Sequence, residues 1–143
     1  MVIRDFCPDD IWGICSLMDS ELGYRVSCDD LRTRIAAMLK DQNYRIFTAA
    51  EDTKIVGFIG LQTCLAFEIH GKILRITALA VAGDFQNQGI GSALIHRAET
   101  YAREQEIAML CVNSGLGRTQ AHRFYERQWF YKKGYSFCKR LKE

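Results

Sequence analysis

The stretch from Ile73 to Leu94 constrains this chain most. It begins with Ile73-Leu-Arg-Ile-Thr-Ala-Leu-Ala-Val81, continues through Ala82-Gly-Asp-Phe-Gln-Asn-Gln88, and opens again at Gly89-Ile-Gly-Ser-Ala-Leu94. The first run is apolar and rich in β-branched residues, which predicts a buried strand. Gly83 and Asp84 end it as a loop. Beyond the glycines, Ile90, Ala93, Leu94, Ala98 and Tyr101 recur at helical spacing, with Arg97, Glu99, Arg103 and Glu104 on other faces. A strand thus feeds a loop that opens a helix through Gln86-x-x-Gly89-x-Gly91. Free backbone N–H groups and the positive end of the helix dipole favour an anion at such a helix start. Glycine lets a phosphate approach the backbone closely. Residues 86–92 are therefore predicted to take a phosphate-bearing ligand.

Two familiar phosphate motifs do not fit. A dinucleotide fingerprint would carry a third glycine at position 94, where leucine stands, and would not have a seven-residue loop before Gly89. A P-loop would need Gly-Lys-Ser/Thr at the helix start. Taken alone, the glycines also fit a helix start with no ligand. The longer pattern is more specific. Leu79-Ala-Val81, a loop, Gln86-x-x-Gly89-Ile-Gly91 and Ala93-Leu-Ile95 together resemble the acyl-CoA signature of the GNAT family of N-acetyltransferases. The resemblance implies acetyl-CoA as co-substrate. It places the pantetheine arm along Leu79, Ala80 and Val81, and the pyrophosphate at Gln86, Asn87, Gln88, Gly89, Ile90, Gly91, Ser92 and Ala93. Asn113, after the next strand, joins the same cofactor set, and no metal is implied.

With 143 residues, 48% of them hydrophobic, the chain is long enough for one domain, residues 1–143, with a full core. A net charge of +2, mixed along the chain, gives no electrostatic case for nucleic acid. No apolar run reaches ~18 residues, so no membrane span or membrane partner is expected. The start, Met1-Val-Ile-Arg-Asp-Phe6, lacks a signal-peptide pattern. Six cysteines (Cys7, Cys15, Cys28, Cys64, Cys111, Cys138) show neither Cys-x-x-Cys nor zinc spacing with histidine. All six read as reduced thiols of a cytoplasmic protein.

The remaining elements follow from periodicity. Val2–Phe6 alternates as a half-exposed strand. A helix beginning near Pro8 carries Ile11, Ile14, Cys15, Met18 and Leu22 on one face and closes near Gly23. A second opens at Ser27, with Asp30 three residues on and Leu31, Ile35, Met38 and Leu39 inward. Tyr44–Ala50 and Ile55–Leu65 read as a hairpin, followed by the strand at Ile73. Ile107–Val112 is a short apolar strand, and a strand–helix–strand crossover implies that it runs parallel to the central one. Thr119–Glu126 reads as helix and Tyr135–Leu141 as a final strand. The class is mixed α/β in the order β-α-α-β-β-β-α-β-α-β. That order resembles the acyl-CoA N-acyltransferase fold, whose two central parallel strands splay apart.

Acetyl transfer to an amine requires a polarised thioester carbonyl, a neutral amine and a proton for the leaving thiolate. A backbone N–H near Leu79–Val81 could polarise the carbonyl. The resemblance of Ala121-His-Arg-Phe-Tyr-Glu126 to the family pattern implies Tyr125 as the acid. A second Phe-Tyr pair, Phe130-Tyr131, makes Tyr131 the runner-up. No direct base is present: Ala78 stands where some relatives have glutamate. Glu21, Glu68 and His70 could act through water, although each also reads as a solvated loop residue, and His96 and His122 read as surface or packing residues. The resemblance to that fold implies that Tyr24, Arg25 and Glu68 border the acceptor. The leading reading is an acetyl-CoA-dependent N-acetyltransferase acting on a small-molecule primary amine. Its alternatives are a peptide or protein N-acetyltransferase and a catalytically weak acyl-CoA-binding module. The oligomeric state is left open, a homodimer included.

Overall fold

The computed structural model describes residues 1–142. The chain falls into two compact units, Met1–Val112 and a second beginning at Asn113.

The first unit contains strands β1 (Val2–Asp5), β2 (Tyr44–Glu51), β3 (Lys54–Leu65), β4 (Lys72–Val81) and β5 (Ile107–Val112). Its helices are α1 (Ile11–Leu22), α2 (Cys28–Lys40) and α3 (Ile90–Glu104). The strands form one sheet in the order β1-β2-β3-β4-β5. Pairs β1–β2, β2–β3 and β3–β4 are antiparallel; β4–β5 is parallel, as the α3 crossover requires.

Helices α1 and α2 cover one face of the sheet. Ile11, Ile14, Leu17, Leu31 and Ile35 bury against Ile46, Phe58 and Ala80. The start of α1 is fixed by Asp10, which is buried although ionisable. Arg4 donates to both of its carboxylate oxygens (Nη1 at 2.8 Å, Nη2 at 2.9 Å), and the Cys7 N–H (2.8 Å) and Thr48 hydroxyl (3.2 Å) donate to Oδ2. A buried carboxylate needs such partners to offset its desolvation. Its other end is closed by Gly23 in the left-handed region (φ +75°), with the Tyr24 N–H bonded back to the Met18 carbonyl at 2.9 Å. Ser27 caps α2 by accepting the Asp30 N–H at 3.3 Å.

Helix α3 packs on the opposite face, burying Ile90, Leu94, Ile95, Ala98, Tyr101 and Ala102. Gly57 permits this seating. A Cβ there would lie 3.1 Å from the Ala80 carbonyl oxygen, 3.2 Å from Leu94 Cδ1 and 3.4 Å from Ile90 Cγ2. A larger residue would push the first turns of α3 off the sheet.

Strand β4 departs from regularity twice. Ile76 pairs with Leu61 and Ala78 with Gly60, leaving Thr77 as one extra residue, a β-bulge. Pairing with β5 runs only from Lys72 to Ile76, so the last five residues of β4 extend past their parallel neighbour's ladder.

In the second unit, α4 (Thr119–Arg127) buries Tyr125. Two expectations are corrected here. Tyr135–Leu141 is not a strand: the backbone is irregular from Phe130 to residue 142. Tyr135, Phe137 and Leu141 are 75%, 91% and 90% exposed, and a strand gains little without a ladder partner or an apolar face to cover. The observed order is therefore β-α-α-β-β-β-α-β-α. Nor are all six cysteines thiols: Cys15 of α1 and Cys28 at the start of α2 form a disulfide, with Cα atoms 5.7 Å apart. Their separation of 13 residues matches no sequence motif, and it is the turn between the two helices that brings them together. Cys7, Cys64, Cys111 and Cys138 are free.

Closing a loop of this length stabilises a fold by about 3 kcal/mol in the chain-entropy model. Alkylation of the denatured, unreduced chain should label four cysteines, and six after reduction, with reduction also lowering Tm. Six labelled cysteines without reductant would refute the bridge.

Candidate active site

The loop between β4 and α3 is compact at its beginning and open at its end. Gly83–Phe85 forms one 3-10 turn, closed by the Phe85 N–H on the Ala82 carbonyl at 2.8 Å. The Gln88 side chain donates to the Asp84 carbonyl at 3.3 Å. Asn87 (φ +62°) and Gly89 (φ +84°) then occupy the left-handed region. Glycine adopts that conformation without the penalty a Cβ brings, and the chain can therefore turn sharply into the helix.

Gly89 is the N-cap of α3 and makes no side-chain cap hydrogen bond, and the first turn carries no acidic residue. The first N–H groups of a helix have no acceptor within the helix, and the dipole leaves positive charge there. Ile90 is buried, holding the turn onto the sheet, while Gln86 to Gly89 are exposed. This arrangement can accept an anion through backbone donors.

Leu79, Ala80 and Val81 lie on the part of β4 beyond the β5 ladder, paired on their other side with Ile59, Phe58 and Gly57 of β3. Such a strand end can add an extended chain bearing amide groups. It is tied to the loop directly: the Gln86 side-chain amide donates to the Val81 carbonyl at 3.0 Å. The expected residues of β4 and of the 86–93 segment are thus brought together. Ala78, half-buried and paired with Gly60 just after the bulge, supplies no carboxylate at the middle of β4.

The other candidates lie elsewhere. Tyr24, 61% exposed, follows the C-cap of α1, whereas Glu68 is exposed on the β3–β4 connection. His70 is exposed on that same connection and His96 on the outer side of α3. Glu21 is not a solvated loop residue. It belongs to the last turn of α1, and its Oε1 accepts from Gln86 Nε2 at 2.9 Å. Sequence spacing gives no sign of this contact, because 65 residues separate the partners.

Asn113, Tyr125 and Tyr131 belong to the second unit. Asn113 is exposed. Tyr125 is 8% exposed, with its ring held edge-on between Phe124 (5.5 Å between centroids) and Phe130 (5.6 Å). Tyr131 is 72% exposed. His122 holds the Gly115 carbonyl through Nε2 at 2.8 Å, a packing role within this unit. Burial pushes the Tyr125 hydroxyl above its ordinary value, and the nearby Arg118 charge offsets only part of that. The group thus keeps its proton throughout the neutral range. Among the described residues no cluster of histidine, cysteine or acidic side chains could hold a metal ion.

The description "Acetyltransferase (GNAT) family" fits residues 11–130. The chain is 32% identical over 130 residues to the aminoalkylphosphonate N-acetyltransferase of Salmonella typhimurium, covering 90% of this chain and 80% of that protein. Its fold is similar to a GNAT family acetyltransferase from Staphylococcus aureus (TM-score 0.81, 23% identity, 98% of each chain). It is also similar to an aminoglycoside acetyltransferase from an uncultured soil metagenomic sample, solved with trehalose (TM-score 0.82, 21% identity, 99% of this chain and 96% of that one).

The Tyr125 environment has a direct check. Its ionisation, read as the difference between ultraviolet titrations of the wild type and Tyr125→Phe, should be centred above pH ~10, the ordinary tyrosine value. Unfolded chain ionises first, so the contribution of Tyr125 to stability is complete below that pH and declines above it. A difference titration centred below pH ~10 would contradict the buried placement.

Proposed function

The chain belongs to the GNAT family of acetyltransferases and is an N-acetyltransferase, and from that premise we propose that it moves the acetyl group of acetyl-CoA to the primary amine of a small molecule. The observation that carries this reading is the junction of β4 and α3: an uncapped, glycine-opened helix start beside a strand end that continues past its neighbour's ladder. A phosphate-bearing, amide-containing chain matches both halves. The pyrophosphate is assigned to the backbone at residues 86–93 and the pantetheine arm to Leu79–Val81. Asn113 is assigned to the same co-substrate.

Acetyl-CoA supplies an acyl group activated as a thioester. The chain's own tasks are to bind it, orient it and manage protons. A backbone N–H at the end of β4 is assigned to the thioester carbonyl, where a preorganised donor acts on developing negative charge. Tyr125 is assigned as the acid for the thiolate, because a hydroxyl that keeps its proton can give it to a sulfur as the C–S bond breaks. The amine supplies its lone pair to the carbonyl and loses a proton to solvent, since position 78 carries no base.

The acceptor is assigned to the side of the site bordered by Tyr24 and Glu68. The names of the similar proteins, an aminoalkylphosphonate and an aminoglycoside acetyltransferase, favour a small polar amine. Ala78 favours a second reading, acyl-CoA binding with little turnover. Release of CoA thiol, followed across a panel of small primary amines and lysine peptides, separates the cases. Turnover with small amines supports the proposal, turnover with peptides alone refutes the acceptor class, and CoA binding without turnover supports the second reading.

Two variants test the assigned residues. Gly91→Val adds a side chain in the first turn of α3. It should weaken CoA binding at least about tenfold while the domain stays folded, because backbone contacts to the anion need close approach. Unchanged affinity by calorimetry would remove the pyrophosphate assignment. Tyr125→Phe keeps the ring but removes its proton, and kcat should fall roughly 10²-fold with CoA affinity little changed. Tyr131→Phe is the paired control, expected near neutral. The reverse pattern would transfer the acid role to Tyr131.

A further inference from the structure

Glu21 stands against the β4–α3 loop in a way that neither the family signature nor the acetyl-transfer chemistry assigns. Its Oε1 accepts from Gln86 Nε2 at 2.9 Å, and the same nitrogen donates to the Val81 carbonyl at 3.0 Å. Both partners are acceptors, so the orientation of the Gln86 amide is fixed by chemistry, and its two protons are both used. The other carboxylate oxygen, Oε2, accepts from the Ser20 hydroxyl at 3.1 Å. It also lies against the far end of the loop, 3.7 Å from where a Cβ on Gly83 would be. One carboxylate on α1 therefore bonds the loop at Gln86 and faces the open side of Gly83.

The loop's own hydrogen bonds, from the Phe85 and Gln86 N–H groups and the Gln88 side chain, close only onto Ala82, Gly83 and Asp84, and Lys54 lies over the Phe85 ring at 5.3 Å. Gly83, Asp84 and Gln86 to Gly89 are exposed, and Asn87 and Gly89 hold left-handed conformations. A segment of this kind opens easily unless it is tied down. The Glu21–Gln86–Val81 chain provides that tie. It joins the last turn of α1 to the first residue of Gln86-x-x-Gly89-x-Gly91 and to the last residue of β4.

We infer that Glu21 is a positioning residue for the co-substrate loop. Through Gln86 it holds the loop backbone in the shape that presents the first N–H groups of α3 to a pyrophosphate. The inference rests on the reading of residues 86–93 as a CoA site. A carboxylate beside an anion-holding loop works against the anion electrostatically, so its favourable contribution is as a hydrogen-bond acceptor. That separates geometry from charge. Glutamine at this position still offers a carbonyl oxygen to Gln86, whereas alanine offers nothing.

The test compares wild type, Glu21→Ala and Glu21→Gln. Alanine is the best helix former, so the first variant should fold, with circular dichroism as the check. In Glu21→Ala, amide hydrogen exchange of Phe85 and Gln86, whose N–H groups are bonded to the Ala82 and Gly83 carbonyls, should speed up. The CoA dissociation constant and the KM for acetyl-CoA should rise roughly 3- to 10-fold, as for loss of one hydrogen bond of ordinary net strength. The kcat should stay within about twofold, because no transition-state contact is removed. Glu21→Gln should restore slow exchange and bind CoA as tightly as wild type or more tightly. Wild-type CoA binding with Glu21→Ala unchanged in exchange or affinity overturns the positioning role alone. Faster exchange in Glu21→Gln equal to that of Glu21→Ala overturns it too. A wild-type chain that does not bind CoA overturns the site reading, and this inference with it.

Discussion

Strand β4 is bonded to β3 along its whole length and to β5 along only its first half. That inequality is the constraint on which the rest of the site depends. A parallel pair joined through α3 must present the C-terminal end of β4 next to the helix start. Because the β4–β5 ladder stops at Ile76, the strand reaches the loop with one side outside that ladder. The packing of α3 follows from the same geometry. Ile90 and Leu94 lie over Gly57, the partner of Val81, so the helix start is held directly above the strand end it serves.

The opposite face supplies rigidity. The Arg4–Asp10–Thr48 network fixes the beginning of α1 to β1 and β2, the disulfide ties its middle to the start of α2, and the Gly23 cap closes its end. Burial, the largest influence on Asp10, raises its carboxyl. The hydrogen bonds from Arg4, the Cys7 N–H and Thr48, together with the Arg4 charge, outweigh it and leave the group below its ordinary value. Such a group stabilises the fold above the ordinary carboxylate pKa and loses that contribution as pH falls through its lowered one. The anchoring of α1, and hence of Glu21, is therefore acid-sensitive at the end of the helix farther from the loop.

Nine of the ten elements were legible in the sequence because each announces itself locally. The α3 stripe is strongly periodic, β4 is mostly apolar, and Ser27 with Asp30 marks the start of α2. The tenth misled because Tyr135–Leu141 alternates like a strand, while alternation says nothing about a partner to pair with. At the candidate site the glycine-opened helix start was legible for the same local reason. What could not be read were contacts between distant residues: Cys15 with Cys28, and Glu21 with Gln86, whose spacings carry no period. The burial of Tyr125 between two phenylalanines stands between these cases, since Phe124 is adjacent but Phe130 reaches the ring only through the turn after α4.

The bulge at Thr77 changes the parity of β4. Cross-strand partners share a face, so before the bulge Leu74 and Ile76 lie with Thr63 and Leu61; after it, Ala78 and Ala80 lie with Gly60 and Phe58. Even-numbered residues face the α3 side in the first half and the α1 side in the second. Helices cover both faces of the sheet, so the strand is apolar almost throughout, and the bulge decides which residues serve which face. It also sets a rule for transplanting the strand. A graft lacking the single extra residue would be in register at one end and inside out at the other, whatever its hydrophobicity.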